Sequence, residues 1–350
     1  MSRTVSRLLQ LAALVIVIGV VYFLPHVVET FGLVQITLFA AMSVLALSLA
    51  FIWGFGNILC FGQAAFFGLG GYAYAVAAIN FGDSTGAIVI AMLVPAIFAL
   101  LLGYFIFYGR ISDVYLGVIT LTVTLILFNV VNSTAGDEYK IGSAALGGFN
   151  GIPSVPTFNI PFDPDSVLDP TGNWFVTGGA LILVYLLLRL ILASPFGRIA
   201  VAVRENETRA SLLGYDPRKV KLGVFIIGGA IAGLGGALYV NWGAFVSPTI
   251  FALSLSAEII IWITIGGLGT LIGPVVGCFL IQYLNSKIGS QQVFNSNLIL
   301  GTILIAFVLL LPKGLVPTLQ MLIAKALPAR PAATPGAARL GVADEPMGAE

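Results

Sequence analysis

The sequence predicts an all-α fold, a polytopic membrane helix bundle of about nine or ten segments in which some helices are broken by glycines. Hydrophobic residues make up 59% of the 350 residues and charged residues 9%, whereas a soluble domain carries about 25% charged residues. The mean hydropathy is +1.04. No charged residue lies between Glu29 and Asp83 or between Lys221 and Glu258. Because about 20 apolar residues cross the hydrocarbon core as a helix, and one charge at its centre costs roughly 2.5–3.5 kcal/mol, these stretches predict membrane-spanning helices.

Eight spans and one interrupted pair of segments follow from the uncharged stretches. The first span comes directly after Arg3 and Arg7, as a secretory signal would. Its long apolar run and the lack of a small-residue cleavage site favour a retained span instead. The predicted spans are 8–24, 31–52, 64–80, 87–108, 114–132, 174–192, 222–240 and 294–311, with a glycine-interrupted pair inside 257–286.

The charged loops predict the orientation of the bundle. Between Arg189 and Lys221 the chain carries seven basic residues against three acids, and basic residues accumulate in short cytoplasmic loops. The loop 194–221 is therefore predicted to be cytoplasmic. The loop 133–173 has five acids, one lysine and recurring prolines, so it is predicted to lie on the outer side of the membrane and to be largely irregular. Both termini are then cytoplasmic, provided that 257–286 crosses twice or dips in and out.

Two glycine-rich stretches predict broken helices. The first, 53–76, contains six glycines with Asn57 and Gln63, and the second, 265–277, contains Thr270. Transporters use such discontinuous helices at binding sites, because freed backbone groups at membrane depth must face protein or a water-filled cavity. We therefore interpret Asn57, Gln63 and Thr270 as residues that line a translocation pathway. The alternative is that the glycines only permit close helix packing.

A third glycine run, 228–236, has no polar side chain. We interpret it as a packing surface, with a hinge as the lesser alternative.

Several function classes are disfavoured by what the sequence lacks. It has no G-x-x-x-x-G-K-[ST] motif for a nucleotide, and Cys60 and Cys278 lie in apolar surroundings that suggest neither a disulfide nor a metal site. With His26 the only histidine, we expect no enzyme activity, metal or cofactor. Asp113 and Glu258 lie near predicted span ends, where interfacial anchoring is favoured over ion coupling, and the role of Glu258 stays open. Energy for any transport must then come from another polypeptide.

The densest charge lies in residues 204–221, where eight of the 18 positions are charged. Ser194 followed by Pro195 predicts a helix start, and Gly214 predicts its end. The polar side is predicted to pair Glu205 with Arg209, and the apolar side to carry Ile199, Val203, Ala210 and Leu213. Such a helix would present charge to a partner. A solvated loop whose basic residues only set the topology fits the same pattern.

At these residues the sequence resembles the permease subunits of bacterial ABC importers of the branched-chain amino acid type. The cytoplasmic coupling segment of that family and its following helix resemble SPFGRIAVAVRENETRASLLGYDPRKVKLGVFIIGGAIAGLGGALY. Five further motifs match in order: FGQAAFFGLGGY (61–72), GGFNGI (147–152), FVSP (245–248), IGGLGTLIGP (265–274) and LLPKGL (310–315). The similarity covers roughly residues 8–325.

The resemblance implies a set of partners and a location. They are a second homologous permease, two cytoplasmic ATPase subunits, a periplasmic solute-binding protein and the lipid of the bacterial inner membrane, with no nucleic acid. It also implies one transmembrane permease domain over residues 1–325, with the periplasmic loop 133–173 and the cytoplasmic coupling loop 194–221. Residues 326–350, rich in Ala, Pro and Gly, are predicted to be a disordered cytoplasmic tail.

The resemblance also implies a mechanism and coupling residues. Glu207, Ala210 and Gly214 take the place of the importer loop that docks on an ATPase, although Glu207 lies seven residues before Gly214 rather than six. With Glu205 and Arg209 they form our predicted coupling set. The expected activity is import of branched-chain amino acids by alternating access, with urea or short amides as an alternative cargo. The rival from another class is an ion-coupled carrier or channel.

Overall fold

The computed structural model describes residues 19–136, 138–160, 163–289, 301–302, 305 and 314–326. Residues 19–27 are helical. The further helices are α1 (Thr30–Gly56), α2 (Gln63–Phe81), α3 (Ser84–Tyr108), α4 (Asp113–Asn132), α5 (Pro170–Ala193), α6 (Pro195–Glu205), α7 (Glu207–Leu212), α8 (Pro217–Gly243), α9 (Leu253–Gly266), α10 (Ile272–Gly289) and α11 (Leu315–Ala326). Two antiparallel pairs of short strands join β1 (Lys140–Ile141) to β2 (Ala144–Ala145) and β3 (Asn159–Ile160) to β4 (Asp163–Val167).

Within the described residues, six helices are long and apolar enough to cross a membrane: α1 to α5 and α8. They match the predicted spans from 31–52 to 222–240, so the predicted all-α polytopic bundle is confirmed. The shorter α9 and α10 turn back on each other, as the interrupted pair in 257–286 predicts. The predicted span 8–24 lies mostly outside the described residues, as does 294–311, and the predicted tail 326–350 lies almost wholly outside them. The number of crossings therefore stays a prediction.

Three helices have an aspartate as their N-cap residue. The carboxylate of Asp83 accepts a hydrogen bond from the Thr85 backbone N–H at the start of α3. Asp169 and Asp216 act in the same way before α5 and α8, each followed by proline as the first helical residue. This pairing satisfies backbone N–H groups that a helix start leaves free, and proline has no N–H to satisfy.

The α8 helix runs through the centre of the bundle, where glycines let neighbouring helices approach closely. A methyl group at Gly233 would overlap the carbonyl oxygen of Ala91 in α3, and one at Gly236 would overlap the carbonyl oxygen of Phe67 in α2. The run 228–236 lies inside the unbroken α8. Its glycines therefore serve packing, as close-packed helices in membranes require.

The α5 and α8 helices place two long connections, 133–169 and 194–216, at opposite ends of the bundle. The 24-residue α5 is about 36 Å long, and it leads from the connection 133–169 to α6. The α8 helix leads back from α7 to Val246, which forms a β-bridge with Ile152 of that connection. We call the end formed by 133–169 the loop end, and the end formed by 194–216 the short-helix end.

The loop end is held to the helix ends by side-chain amides. The Asn159 side-chain oxygen accepts hydrogen bonds from the backbone N–H of Ser84 at 2.9 Å and from the Ser84 hydroxyl at 2.5 Å. The Asn241 side-chain oxygen, near the end of α8, accepts from the backbone N–H of Phe158 at 2.7 Å. The Tyr74 hydroxyl of α2 donates to the Pro156 carbonyl at 2.8 Å. Three helices are thus tied to one irregular segment.

Candidate functional site: the short-helix end and the two helix breaks

The short-helix end contains two helices where the sequence predicts one. Ser194 caps α6 by accepting a hydrogen bond from the Gly197 N–H, as predicted. The helix stops at Asn206, whose backbone is extended with φ −160°. The Asn206 side chain then caps α7 by accepting from the Arg209 N–H at 2.8 Å. The prediction of a single helix was wrong because an asparagine side chain competes well for backbone N–H groups and starts a new helix instead.

The side of α6 and α7 that is buried against the bundle is smaller than predicted. Val203 and Ala210 are buried, as the apolar pattern predicts, and Ile199 is half-buried. Leu213 is 72% exposed and its neighbour Leu212 is 83% exposed, so the prediction that Leu213 faces the bundle was wrong. The α7 helix has only six residues, and its chain leaves at Gly214, which turns Leu213 outward.

Gly214 ends the unit as predicted. Its φ of +91° lies in the region that glycine adopts without strain. A methyl group there would have no neighbour within 4 Å, so the position is open on the outside.

The charged residues of the predicted coupling set have partners that spacing did not predict. Glu205 pairs with the adjacent Arg204 at 3.2 Å rather than with Arg209, because the break at Asn206 separates the two helices. The Glu207 carboxylate accepts from the Lys221 ammonium of α8 at 2.6 Å. Glu207 therefore ties α7 to α8, while Glu205 is the more exposed of the two acids.

The first predicted break lies between α1 and α2. The α1 helix ends at Asn57, which is left-handed with φ +53°, and α2 begins at Gln63. Asn57 is exposed. Gln63 is buried and donates from Nε2 to the Ser48 hydroxyl at 2.7 Å, while its Oε1 has no hydrogen-bond partner among the described residues. The segment packs against α4, because a methyl group at Gly62 would overlap the carbonyl oxygen of Thr120.

The second predicted break lies between α9 and α10. The α9 helix ends at Gly266, and Gly267 and Gly269 have φ values of +119° and +85°. The Thr270 hydroxyl donates to the Gly267 carbonyl at 3.0 Å and accepts from the Gly273 N–H at 3.1 Å. Thr270 thus shapes the turn and starts α10.

The two breaks meet at one place. A methyl group at Gly54, near the end of α1, would lie 3.3 Å from the backbone nitrogen of Gly269. Asn57 and Thr270 flank this junction. Asn57 lies three residues after Gly54, and Thr270 directly follows Gly269. Gln63 is the exception among the three predicted pathway residues, because it is bonded inside the bundle to Ser48.

Sequence reasoning missed several residues that join these parts. Arg204 donates from Nη1 to the Gly54 carbonyl at 2.5 Å, and Lys221 holds Glu207. In the sequence, Arg204 and Lys221 were recognised only as two of the charged residues in 204–221, without a specific role. Leu212 was missed because its exposure depends on where α7 stops. Among the described residues, no group of three His, Cys, Asp or Glu side chains could hold a metal ion.

Comparisons with known proteins agree with the architecture. The sequence model of the family described as branched-chain amino acid transport system / permease component matches residues 33–310. The LivM permease of the high-affinity branched-chain amino acid transport system of Escherichia coli is 29% identical over 90% of this chain and 76% of its own length. A probable LivM permease of Methanocaldococcus jannaschii is 24% identical over 80% and 91%, and a probable LivH permease of that organism is 29% identical over 56% and 62%. No solved structure matches the chain.

The family match spans the helices that carry both breaks and the short-helix end. It includes most of α1 and all of α2 to α10. The resemblance stated from the motifs is thereby confirmed. The chain is a membrane transport component and not an enzyme: it belongs to the family of permease components of branched-chain amino acid transport systems.

Proposed function

We propose that the chain is the permease subunit of a bacterial ABC importer that moves branched-chain amino acids across the inner membrane by alternating access. The observation that carries this proposal is the short-helix end. Its outer surface combines Glu205 and Arg209 with the exposed Leu212 and Leu213, while its inner surface is bonded to α1 and α8. A surface of this kind suits a partner that must both grip the chain and move it.

The partner at the short-helix end is a cytoplasmic ATPase. Positively charged loops stay in the cytoplasm, and the region Arg189 to Lys221 is the most basic part of the chain. Exposed leucines beside charged groups give an apolar anchor with a polar rim, the usual composition of a protein interface. ATP binding draws two ATPases together, each moves the short-helix end that it holds, and hydrolysis resets the bundle.

The partner at the loop end is a periplasmic solute-binding protein. The loop end is the acidic end of the chain, and amide hydrogen bonds fix it to three helices. A surface that is already ordered can bind a protein without losing further conformational entropy. Opening of the helices beneath this surface then delivers the solute to the pathway.

A second homologous permease completes the membrane part. The long helices α3, α4 and α5 each keep most of their side chains outside the core, with exposed apolar residues such as Leu101, Ile126 and Leu183. These faces suit lipid and a second helix bundle. The relatives include both a LivM and a LivH permease in one organism, which supports a pair of unlike subunits.

Branched-chain amino acids are the proposed cargo because the names of the relatives carry that substrate. Urea or a short amide is the alternative, and the ligand of the binding protein that docks on the complex decides between them. Residues Asn57 and Thr270 at the junction of the breaks are proposed to line the path. Gln63 is proposed to line it through its side-chain oxygen, which has no hydrogen-bond partner among the described residues.

The test is co-purification from native membranes. The tagged chain is expected to retain an ATPase, and Leu212→Asp with Leu213→Asp is expected to lower the retained ATPase about tenfold or more, because a charge in an apolar anchor removes most of its binding. Phe149→Asp is the matched control, since Phe149 is 66% exposed at the loop end. It should leave the ATPase in place.

Two results would refute the proposal. One is solute flux through the chain alone in liposomes without ATP, which an ion-coupled carrier or channel would show. The other is an ATPase that remains bound to the double leucine variant and is still stimulated by the loaded binding protein.

A further inference from the structure

The end of α1 exposes backbone carbonyl groups that need partners. Asn57 ends the helix in a left-handed conformation, and its N–H bonds to the Trp53 carbonyl at 3.1 Å. The Ile58 N–H bonds to the Ile52 carbonyl at 3.2 Å. The next carbonyl group in the sequence, that of Gly54, receives the guanidinium of Arg204 at 2.5 Å. A cation at this place is favourable because the C-terminal end of a helix carries partial negative charge.

The Arg204 side chain reaches α1 from the last turn of α6. It is 34% exposed, and its other terminal nitrogen, Nη2, contacts the carboxylate of Glu205 at 3.2 Å. Two residues later Asn206 starts α7. One guanidinium therefore joins the outer, charged surface of the short-helix end to the end of α1.

Gly54 is also the residue at which the two helix breaks meet. A methyl group on Gly54 would lie 3.3 Å from the Gly269 nitrogen and 3.6 Å from its α-carbon. Behind it, a methyl group at Gly314 would overlap the backbone of Gly267. The carbonyl that Arg204 holds thus belongs to a junction of tightly packed backbone segments. A displacement of one of these segments displaces the segments packed against it.

We propose that Arg204 is a positioning residue that transmits movement of the short-helix end to the junction of the two breaks. It acts by holding the Gly54 carbonyl, so that α6 and the end of α1 move together. This inference rests on the proposed function for the source of the movement. The mechanical link itself is a property of this chain and is tested separately below.

The first test measures the link in the full chain without a partner. Cys60 lies in the first break and is fully buried, and Cys278 is the other cysteine. In a Cys278→Ala background, Arg204→Met is expected to raise the rate at which a maleimide labels Cys60 by about five- to tenfold, the range that loss of a helix-terminal cation supports. Arg204→Lys should restore most of the protection, because an ammonium can donate to the same carbonyl.

Arg198→Met is the matched control for that test. Arg198 lies on the same helix, is exposed, and donates to the Ala193 carbonyl of α5 at 2.9 Å, away from both breaks. In the Arg198→Met variant, the rate at which the maleimide labels Cys60 should equal that in the parent chain. Equal labelling of the Arg204→Met and parent chains would overturn the proposed link, whether or not the chain is an importer.

The second test measures transmission in the assembled complex with its ATPases and binding protein. Arg204→Met is expected to retain the ATPase on co-purification and to lower the number of solute molecules moved per ATP hydrolysed by about tenfold. If Arg204 had only a structural role, its loss would reduce solute transport and ATP hydrolysis together and leave their ratio unchanged. That result would overturn the proposal. Loss of the ATPase from the Arg204→Met complex would overturn it as well, since Arg204 would then be a docking residue. An absent ATPase in the parent complex refutes the proposed function instead.

Discussion

The two ends of the bundle differ in how they are attached to it. At the loop end, buried amides and backbone groups fix an irregular segment to α2, α3 and α8. At the short-helix end, two short helices bury Ala200, Val203 and Ala210 and are bonded to α1 and α8 through the side chains of Arg204 and Lys221. The difference teaches that irregular structure is not the same as loose structure. The irregular loop is fixed to three helices by hydrogen bonds, and we propose that the helical end is the one that moves.

Two glycines make this contrast measurable. Gly151 at the loop end and Gly214 at the short-helix end both have positive φ, +73° and +91°. A methyl group at Gly151 would overlap the carbonyl oxygen of Val246, whereas one at Gly214 would meet nothing within 4 Å. The same substitution thus compares a crowded end with an open one.

The largest effect is expected from Gly151→Ala. It combines left-handed backbone strain with an overlap against backbone, and should lower the free energy of unfolding by about 3 kcal/mol. Gly214→Ala carries the strain alone and should cost about 1 kcal/mol. The apparent melting temperatures of the two purified variants in detergent measure the difference. Equal melting temperatures would show that the loop end is not the firmer one.

A smaller loss is expected from Asn159→Ala. The amide of Asn159 also donates to Asp83 at 2.9 Å and to the Asp163 carbonyl at 3.1 Å. Its removal leaves the buried Ser84 groups without this acceptor, so the free energy of unfolding should fall by about 2 kcal/mol. Proteolysis within residues 138–160 should become faster. Asn129→Ala is the control, because the exposed Asn129 side chain donates to the Leu125 carbonyl of its own helix, and it should change neither quantity.

A still smaller loss is expected at the short-helix end from Lys221→Met. The methionine keeps the apolar stem of Lys221 and removes its pairing with Glu207, which is half exposed. Such pairs contribute about 0–1 kcal/mol, so the melting temperature should change little. A loss above that of Asn159→Ala would reverse the comparison of the two ends.

The smallest effect is the pH dependence contributed by Asp83. The amide of Asn159 and the N–H of Thr85 donate to Asp83 and lower the pKa of its carboxyl group below the usual 3.8. A lowered pKa in the folded state means that ionised Asp83 stabilises the fold above pH 3.8 and loses this contribution as the pH falls through the folded pKa. The melting-temperature difference between the parent chain and Asp83→Asn should therefore be constant near neutral pH and shrink below about pH 4. A difference that grows on acidification would contradict this assignment.

The helices of the bundle could be predicted closely because local rules decide them. Uncharged apolar stretches gave spans that match α1 to α5 and α8 within a few residues. Ser194 and Gly214 act at helix ends as predicted. These features depend on hydropathy, capping and backbone freedom, which a short stretch of sequence contains in full.

The partners of the charged residues could not be predicted in the same way. Spacing paired Glu205 with Arg209, but one capping side chain, Asn206, divides the helix, and Glu205 pairs with Arg204 instead. Leu213 was assigned to the buried side by periodicity, although periodicity holds only while the helix continues. The roles of Asn57, Gln63 and Thr270 in a pathway remain proposals.

The sequence by itself determined that this is a membrane protein, where six of its long helices lie, and which two stretches break, because the costs of burying charge and of bending a helix are local. Only the tertiary structure decided that the break after Gly54 meets the one at Gly269 and that Arg204 reaches this junction. Residues 150 and 215 positions apart in the chain come together there. Contacts over such separations depend on how whole helices pack, which no single stretch of sequence specifies.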